Sequence, residues 1–487
     1  MMLAFKLDIL LTDKLIYVLL AVIALLVWRI LRHEHLRAPW RRVAQSQAGM
    51  AAAVILIAFV AVGLLDSVHF RHLLDNGGKG ERQYASEVLS LLDVAAAPLR
   101  ERVEKTYSAP FAAQLYAKET IELPGGRQVR DFPRLKYGGA HLKDPERERG
   151  DDIQSRAAGS LSLGFAVWAV LATLCISWLA RCWGTTFLQA LGQVARGESQ
   201  VAWRAVLLTS ALVILVGSLA AGLCVPYHIF GTDKVGQDVF YHALKSIRTG
   251  LVIGTLTTLV MLPFALLLGI VAGYMRGWVD DVIQYVYTTL NSIPGVLLIA
   301  AAVLIMQGHI ESNPDTFDTV AARSDFRLLF LCLILGVTNW TGLCRLLRGE
   351  ALKLSEMDYI QAARAFGVSH WRIISRHILP NVFHIVLISV VLDFSGLVLA
   401  EAVLSYVGVG VDPTMQSWGN MINSARLEMA REPIVWWQLA AAFAFMFVLV
   451  LAANIFADAV RDAFDPRAGR RMSAKVLARL RLGGAHE

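Results

Sequence analysis

Runs of about 20 apolar residues recur along this chain from end to end, and nothing else in the sequence constrains its fold as strongly. They stand at 13–31, 48–68, 159–180, 204–226, 249–273, 282–308, 327–346, 383–408 and 436–458. At about 1.5 Å per helical residue, each can cross a hydrocarbon core about 30 Å thick. Hydrophobic residues make up 56% of the 487 and charged residues only 17%, a balance foreign to soluble domains. The chain reads as an all-α integral membrane protein, a polytopic helical bundle. Its first run lacks a basic leader and is followed by WRILRHEHLRAPWRR, with no small-residue cleavage site. A retained span is expected there, not a cleaved signal peptide.

Lysine and arginine accumulate in the short cytoplasmic loops of membrane proteins, and this sets the expected orientation. Arg29, Arg32, Arg37, Arg41 and Arg42 stand against Glu34 alone between the first two runs. Arg348, Lys353, Arg364, Arg372 and Arg376 follow the seventh run. The tail holds Arg461, Arg467, Arg470, Arg471, Lys475, Arg479 and Arg481. By contrast, Glu311, Asp315, Asp318 and Asp325 face only Arg323 in 309–326. These loops agree on an amino terminus outside and a carboxyl terminus in the cytoplasm. The net charge of +7 is thus a matter of loops and gives no argument for nucleic acid. Cys175, Cys182, Cys224, Cys332 and Cys344 lie in or beside apolar runs without ligand spacing, so neither a metal site nor a disulfide framework is expected.

Residues 69–158 form one soluble insertion, expected outside the cytoplasm. YASEVLSLLDVAAAPLRERVEKTYSAPFAAQLYAKETI predicts two helices, interrupted at Pro98 and Pro110. ELPGGRQVRDF predicts a turn at Pro124-Gly125-Gly126 between short extended pieces. No pocket-like constellation stands out, so packing or assembly is favoured over contact with a delivered substrate or its carrier.

Between two apolar runs lies a polar island, SEMDYIQAARAFGVSHWRIISRHILP (355–380). Ser355 with Asp358 three places on is a helix-start signal. Tyr359, Ala362, Ala363 and Phe366 recur at helical spacing, and Gly367 is suited to the left-handed turn that ends a helix. Ser369 stands ready to cap a second helix carrying Trp371, Ile374 and Ile378, and Pro380 marks the approach to the next span. Two short helices with a glycine elbow are predicted.

This island resembles the coupling loop of the transmembrane subunits of ABC importers: Glu-Ala-Ala, three residues, Gly, nine residues, Ile-x-Leu-Pro. It stands here as Gln361-Ala362-Ala363, Gly367 and His377-Ile378-Leu379-Pro380, with Gln361 and His377 departing from the pattern. Further upstream, HIFGTDKVGQDVFYHALKSIRTGLVIG is similar to the Gly-Thr-Asp-x-x-Gly-Arg-Asp stretch of peptide and nickel permeases. Gly231, Thr232, Asp233, Gly236 and Asp238 match, and Gln237 replaces the arginine. GIVAGYMRGWVDDVIQ (269–284), SIPGVLLIA (292–300), LAEAVLSYVGVGVDPTMQSWGNMI (399–422) and NIFADAVRDAFDPR (454–467) carry the resemblance to about 230–467.

The resemblance implies a type I ABC importer permease core in a bacterial inner membrane, for dipeptides, oligopeptides, peptide antibiotics or nickel-type chelates. It implies a second permease chain, ABC ATPase subunits that carry the ATP and magnesium, and an extracytoplasmic substrate-binding protein. Coupling would fall on Asp358, Gln361, Ala362, Ala363, Gly367, Leu379 and Pro380, docked in a groove of the ATPase. The implied layout is 1–68 with two spans, 69–158 the extracytoplasmic insertion, 159–226 two further spans, 227–467 the core with its coupling loop in 347–382, and 468–487 a basic tail. Such permeases usually carry one span before the Gly-Thr-Asp segment; four spans and a domain stand here.

Other motifs fall away. HEHL at 33–36 lacks the HExxH spacing, and NGGKG at 76–80 lacks that of a P-loop. No catalytic residue or cofactor is expected on this chain, and ATP hydrolysis is left to a partner. Asp393 and Glu401 fall in an apolar run, where carboxylates face the bundle interior or a water-filled path. A structural hydrogen-bonding role suits Glu401; Asp393 pairs with a neighbouring helix or lines the pathway. Lys245 and Arg248 are expected at headgroup level. Pro263 and Pro294 are expected to kink their helices. A rival reading makes Asp393 and Glu401 carriers of an ion-coupled secondary transporter, but it leaves 355–380 unexplained and lacks internal repetition. A scaffold or sensor using 69–158 is a third.

Overall fold

The structure, a computed structural model, describes residues 5–73, 84–85, 87–122, 128–313, 317 and 319–464. The NGGKG segment, the Pro124-Gly125-Gly126 turn and the basic tail lie outside the described residues. Among those described, eight helices are long and apolar enough to cross a membrane.

The chain opens with β1 (Phe5–Leu7), α1 (Leu11–Arg32), α2 (Glu34–Gln45) and α3 (Gln47–Asp66). The Ser46 hydroxyl accepts from the Gly49 amide at 3.1 Å and caps α3. The insertion holds β2 (His69–His72), β3 (Leu89–Ser90), α4 (Leu91–Ala95), α5 (Ala97–Glu101), β4 (Glu119–Glu122) and β5 (Gln128–Asp131). The predicted pair of longer helices is absent. Ser90 and Asp93 form a capping box that starts α4, and Pro98 falls in the first turn of α5, where a missing amide is harmless. Residues 102–118 are irregular: Tyr107, Ala109 and Tyr116 pack on the permease core, the Tyr116 amide donates to the Tyr107 carbonyl at 3.0 Å, and the Leu115 amide donates to the Pro133 carbonyl at 2.8 Å. β4 and β5 pair antiparallel as the expected extended pieces. β1 pairs with β2 from Phe5 opposite His72 to Leu7 opposite Phe70, which brings the amino terminus to the insertion.

Three helices come next: α6 (Pro145–Trp183), α7 (Phe187–Arg196) and α8 (Trp203–Cys224). Residues 145–158, grouped with the insertion from sequence, are the first turns of α6. The remainder is α9 (Val239–Met275), α10 (Trp278–Ser292), α11 (Gly295–Ser312), α12 (Val320–Ser355), α13 (Asp358–Ala365), α14 (His370–Ile373), a π-helical turn (Ile374–Ile378), α15 (Leu379–Tyr406), α16 (Trp418–Glu428) and α17 (Trp437–Phe464). The run expected over 282–308 is broken at Ile293-Pro294, where the proline N-caps α11; Pro263 lies within the unbroken α9. The run at 327–346 lies in α12, whose Leu328, Leu331, Leu335 and Leu347 are fully buried.

Two glycines let α9 and α12 approach closely. A Cβ at Gly269 would lie 2.7 Å from the Cys344 carbonyl oxygen, and one at Gly273 would lie 2.4 Å from that of Arg348. Four residues apart, they form a small-xxx-small face of the kind that packs helices in membranes. The bundle has two ends. One gathers β1, the insertion, the 225–238 segment and α16; the other gathers α2, α7, the α9–α10 turn and the α12–α15 hairpin.

Candidate functional site

The hairpin 356–378 protrudes from the end of α12. Ser355 does not cap its first helix: the serine ends α12, its hydroxyl donates to the Leu352 carbonyl at 2.7 Å, and Met357 takes the N-cap position of α13 without a side-chain bond. Asp358 is the first residue of α13 and favours its positive end. Gly367 adopts φ +72, and the Val368 amide reaches back to Ala363 at 3.1 Å while the Gly367 amide reaches Arg364 at 2.9 Å. This Schellman pair closes the helix and makes the elbow. Ser369 holds the N-cap position of α14 without a side-chain bond. Pro380 does not interrupt the next helix. Instead α14, the π turn and α15 run on as one rod, with Asn381 Nδ2 donating to the His377 carbonyl at 2.6 Å just above the proline.

One side of the hairpin is core and the other is surface. Ile360, Ile373 and Ile378 are fully buried with Tyr274, Leu347 and Ala351. Phe366 is 87% exposed, and Met357, Tyr359, Gln361, Ala362 and Trp371 are exposed with it. Ala363, expected beside Ala362 on the open face, is half-buried against the core, as is Leu379. Polar ties fix the hairpin to α9. Arg364 Nη2 donates to the Tyr274 carbonyl at 3.1 Å and its guanidinium lies 4.4 Å from the Tyr274 ring centre. Tyr274 Oη and His370 Nδ1 are 3.0 Å apart. Arg276 donates to Ser355 Oγ at 2.8 Å and pairs with Glu356. Arg348, about two turns up α12, grips Asp280 of α10 through two bonds of 2.6 Å.

The two intramembrane carboxylates differ. Glu401 is 3% exposed; its Oε1 accepts from Ser405 Oγ at 2.7 Å, and the Ser417 hydroxyl and Gly419 amide complete its partners. It thus joins α15 to the amino-terminal turn of α16, where a carboxylate is favoured. Asp393 is half-buried and has no hydrogen bond or ion pair among the described residues.

At the opposite end, the Gly-Thr-Asp segment is where the insertion docks. Gly231 and Gly236 adopt φ +65 and +80, and Cβ atoms there would meet the carbonyl oxygens of Ser108 at 2.2 Å and Glu104 at 1.9 Å. The Thr232 amide donates to Ser108 and the Glu104 amide to Gly236, at 3.1 and 2.9 Å. Asp233 Oδ1 accepts from the Val235 and Gln237 amides, shaping the turn. Asp238 caps α9 by accepting from the Phe240 and Tyr241 amides, and holds His228 Nδ1 at 2.7 Å. Behind His228 stands Glu104 at 3.5 Å, itself receiving three amides from Lys136, Tyr137 and Gly138.

Lys245 and Arg248, expected at headgroup level, are tied into ion pairs within the protein. Lys245 pairs with Asp93 at 2.6 Å, and Arg248, 5% exposed, pairs with Asp13 at 2.6 Å. The tyrosine, lysine and arginine at 241, 245 and 248 share one face of α9, a spacing visible in the sequence. Their partners come from the insertion and from α1, too distant in sequence to be read.

A bundle of long apolar helices with a hairpin wired to two of them, α9 and α12, has the architecture of a membrane permease subunit. Residues 265–470 match the family described as the binding-protein-dependent transport system inner membrane component. The chain is 33% identical over 240 residues to the glutathione transport system permease protein GsiD of Pectobacterium atrosepticum, a match covering 49% of this chain and 73% of that protein. It is 30% identical to the dipeptide permease DppC of Lactococcus lactis, over 50% of this chain and 64% of that protein. It is likewise 30% identical to the oligopeptide permease OppC of Mycobacterium tuberculosis, over 49% and 76% respectively. The chain belongs to this family, the ABC importer permeases of the peptide class. It is a transport component rather than an enzyme, and a multi-pass protein of the inner membrane. The ion-coupled alternative is not favoured.

Proposed function

We propose that this chain forms part of the translocation pathway for peptides, peptide-like compounds or nickel-type chelates and is driven by separate ATPase subunits through residues 355–380. ATP and magnesium belong to those ATPases. A second permease subunit completes the pathway, an extracytoplasmic binding protein delivers substrate to the insertion end, and the amino terminus lies outside with the carboxyl terminus in the cytoplasm.

The observation that carries this reading is the two-sided hairpin. An exposed apolar patch centred on Phe366 and Trp371, rimmed by Asp358, Gln361 and Arg372, suits a protein partner. Its other side is locked to α9, α12 and α15 by Ile360, Ile378 and the Tyr274–Arg364 pair. Closure of the ATPase pair therefore moves three long helices instead of bending a loose loop. Ala362 lets the partner approach, and Leu379 with Pro380 begins the rod that carries motion into α15. Asp393, without a partner here, is assigned to the translocation pathway.

The test is Gly367→Pro. Proline fixes φ near −65° and has no amide to reach Arg364, so the elbow cannot form. Uptake should vanish while the protein inserts in normal amounts; transport retained on matched membrane amounts overturns the coupling role.

A further inference from the structure

At the hairpin end, the part of the chain upstream of the family match presents a dense field of arginine. Arg29 and Arg32 end α1, and Arg37, Arg41 and Arg42 line α2. Arg181 ends α6, Arg196 ends α7 and Arg204 opens α8. All are exposed, and among the described residues none pairs with a carboxylate. Glu34 and Glu198 are the acidic residues within these stretches. The field is one surface, because the Ala202 amide before α8 donates to the Ala44 carbonyl of α2 at 2.8 Å.

α2 is held at a fixed height: Val43 is buried against Val460 and Ala463, and Trp40 packs edge-on to Phe464 with ring centres 5.6 Å apart. α7 buries Ala190 and Val194 but leaves Phe187, Leu188 and Leu191 exposed, Leu188 at 76%. A short helix with a bare apolar face and a basic end lies in a membrane interface. Two of the helices bearing these arginines are peripheral: none of the apolar stretch of α1 and only 6% of that of α8 is buried in the protein. Their ends are therefore ringed by lipid headgroups.

We propose that α2, α7 and the adjoining helix ends form a collar that binds anionic phospholipid headgroups, the guanidinium forks taking the phosphates. It rests on the membrane-permease reading. An ATPase surface is the competing occupant, but the lipid-facing position of α1 and α8 favours lipid.

The experiment uses the full chain purified in mild detergent and stripped of lipid. Its thermal midpoint is followed on titration with phosphatidylglycerol or phosphatidylcholine. Two variants are compared with wild type, R37Q/R41Q/R42Q and R181Q/R196Q/R204Q, and co-purification of an ATPase is scored for each. Phosphatidylglycerol should stabilise the wild type and phosphatidylcholine should not. Either triple variant should bind phosphatidylglycerol about a hundredfold more weakly, since each surface arginine contributes about 1 kcal/mol and about 1.4 kcal/mol is tenfold. An equal response to both lipids, or an undiminished response in both variants, overturns the proposal. So does loss of the ATPase with the lipid response unchanged. Failure of the permease reading shows separately, as an ATPase-free wild type.

Discussion

Raising the pH should release the insertion from the permease core while the membrane helices stay folded. His228 is 4% exposed between Asp238 and Glu104. Burial opposes its charge, but the bond to Asp238 and the pairing with Glu104 prevail and push its pKa from an ordinary 6.5 to about 9. The folded value lies above the unfolded one, so the stabilisation is fully present below about pH 6.5 and is lost as pH rises through about 9. The rise from 6.5 to about 9 corresponds to about 3 kcal/mol, most of it released between pH 7 and 10. Glu104 works in the other direction. Burial raises its pKa, but His228 and three amides hold it down to about 2, so its contribution is full above 4.5 and is lost as pH falls from there through about 2. The assay is proteinase K cleavage within 102–118 on membrane-embedded protein from pH 7 to 10, normalised to an unstructured peptide. Cleavage should rise by about two orders of magnitude in the wild type and be pH-independent in His228→Asn. A flat wild-type profile, or the same rise in the variant, refutes the argument.

The core and the hairpin give three further expectations. Gly273→Ala sets a Cβ 2.4 Å from the Arg348 oxygen, forcing α9 and α12 apart by roughly 1 Å; a loss of about 1–3 kcal/mol should appear as a lowered thermal midpoint together with reduced uptake. Ile360→Ala empties a fully buried site and should cost about 2–5 kcal/mol, seen as faster proteolysis of α13 and poorer retention of the ATPase on purification. Glu401→Gln keeps an acceptor for Ser405 and should preserve uptake, whereas Glu401→Ala strands buried donors and should lower stability by about 1–3 kcal/mol. A stable, inactive Glu401→Gln protein would instead revive the proton-carrier role.

The membrane helices and the hairpin were legible because their signals are local. Apolar length marks a span, and Gly367 marks an elbow whatever surrounds it. The Ser355–Asp358 start signal misled because the serine ends α12 and its hydroxyl is taken by the Leu352 carbonyl and by Arg276 of the α9–α10 turn. Pro294 reads as a kink within 282–308, yet the chain leaves helical geometry there, with Ile293 extended and the proline capping α11. The insertion was the least legible part. Tyr107 packs with Val239 and Trp437, more than a hundred positions downstream, and Glu104 is held by His228 and by the amides of 136–138, so periodicity along the segment itself carried no information. The ion-pair partners of Lys245 and Arg248, Asp93 and Asp13, lie more than a hundred positions upstream and were equally out of reach of a local reading.

The docking of the insertion on the Gly-Thr-Asp segment also sets an order of assembly. β1 closes on β2 as soon as α3 has crossed, but Ser108 must wait for Thr232, 124 residues later. At about 5–20 residues per second of synthesis, that delay is about 6–25 s. Throughout it, Tyr107 stands without the Trp437 that later packs on it, and Glu104 without His228. The newborn insertion is thus a client for whatever chaperones and proteases patrol its side of the membrane, until α6 and α8 have threaded through and the latch can shut.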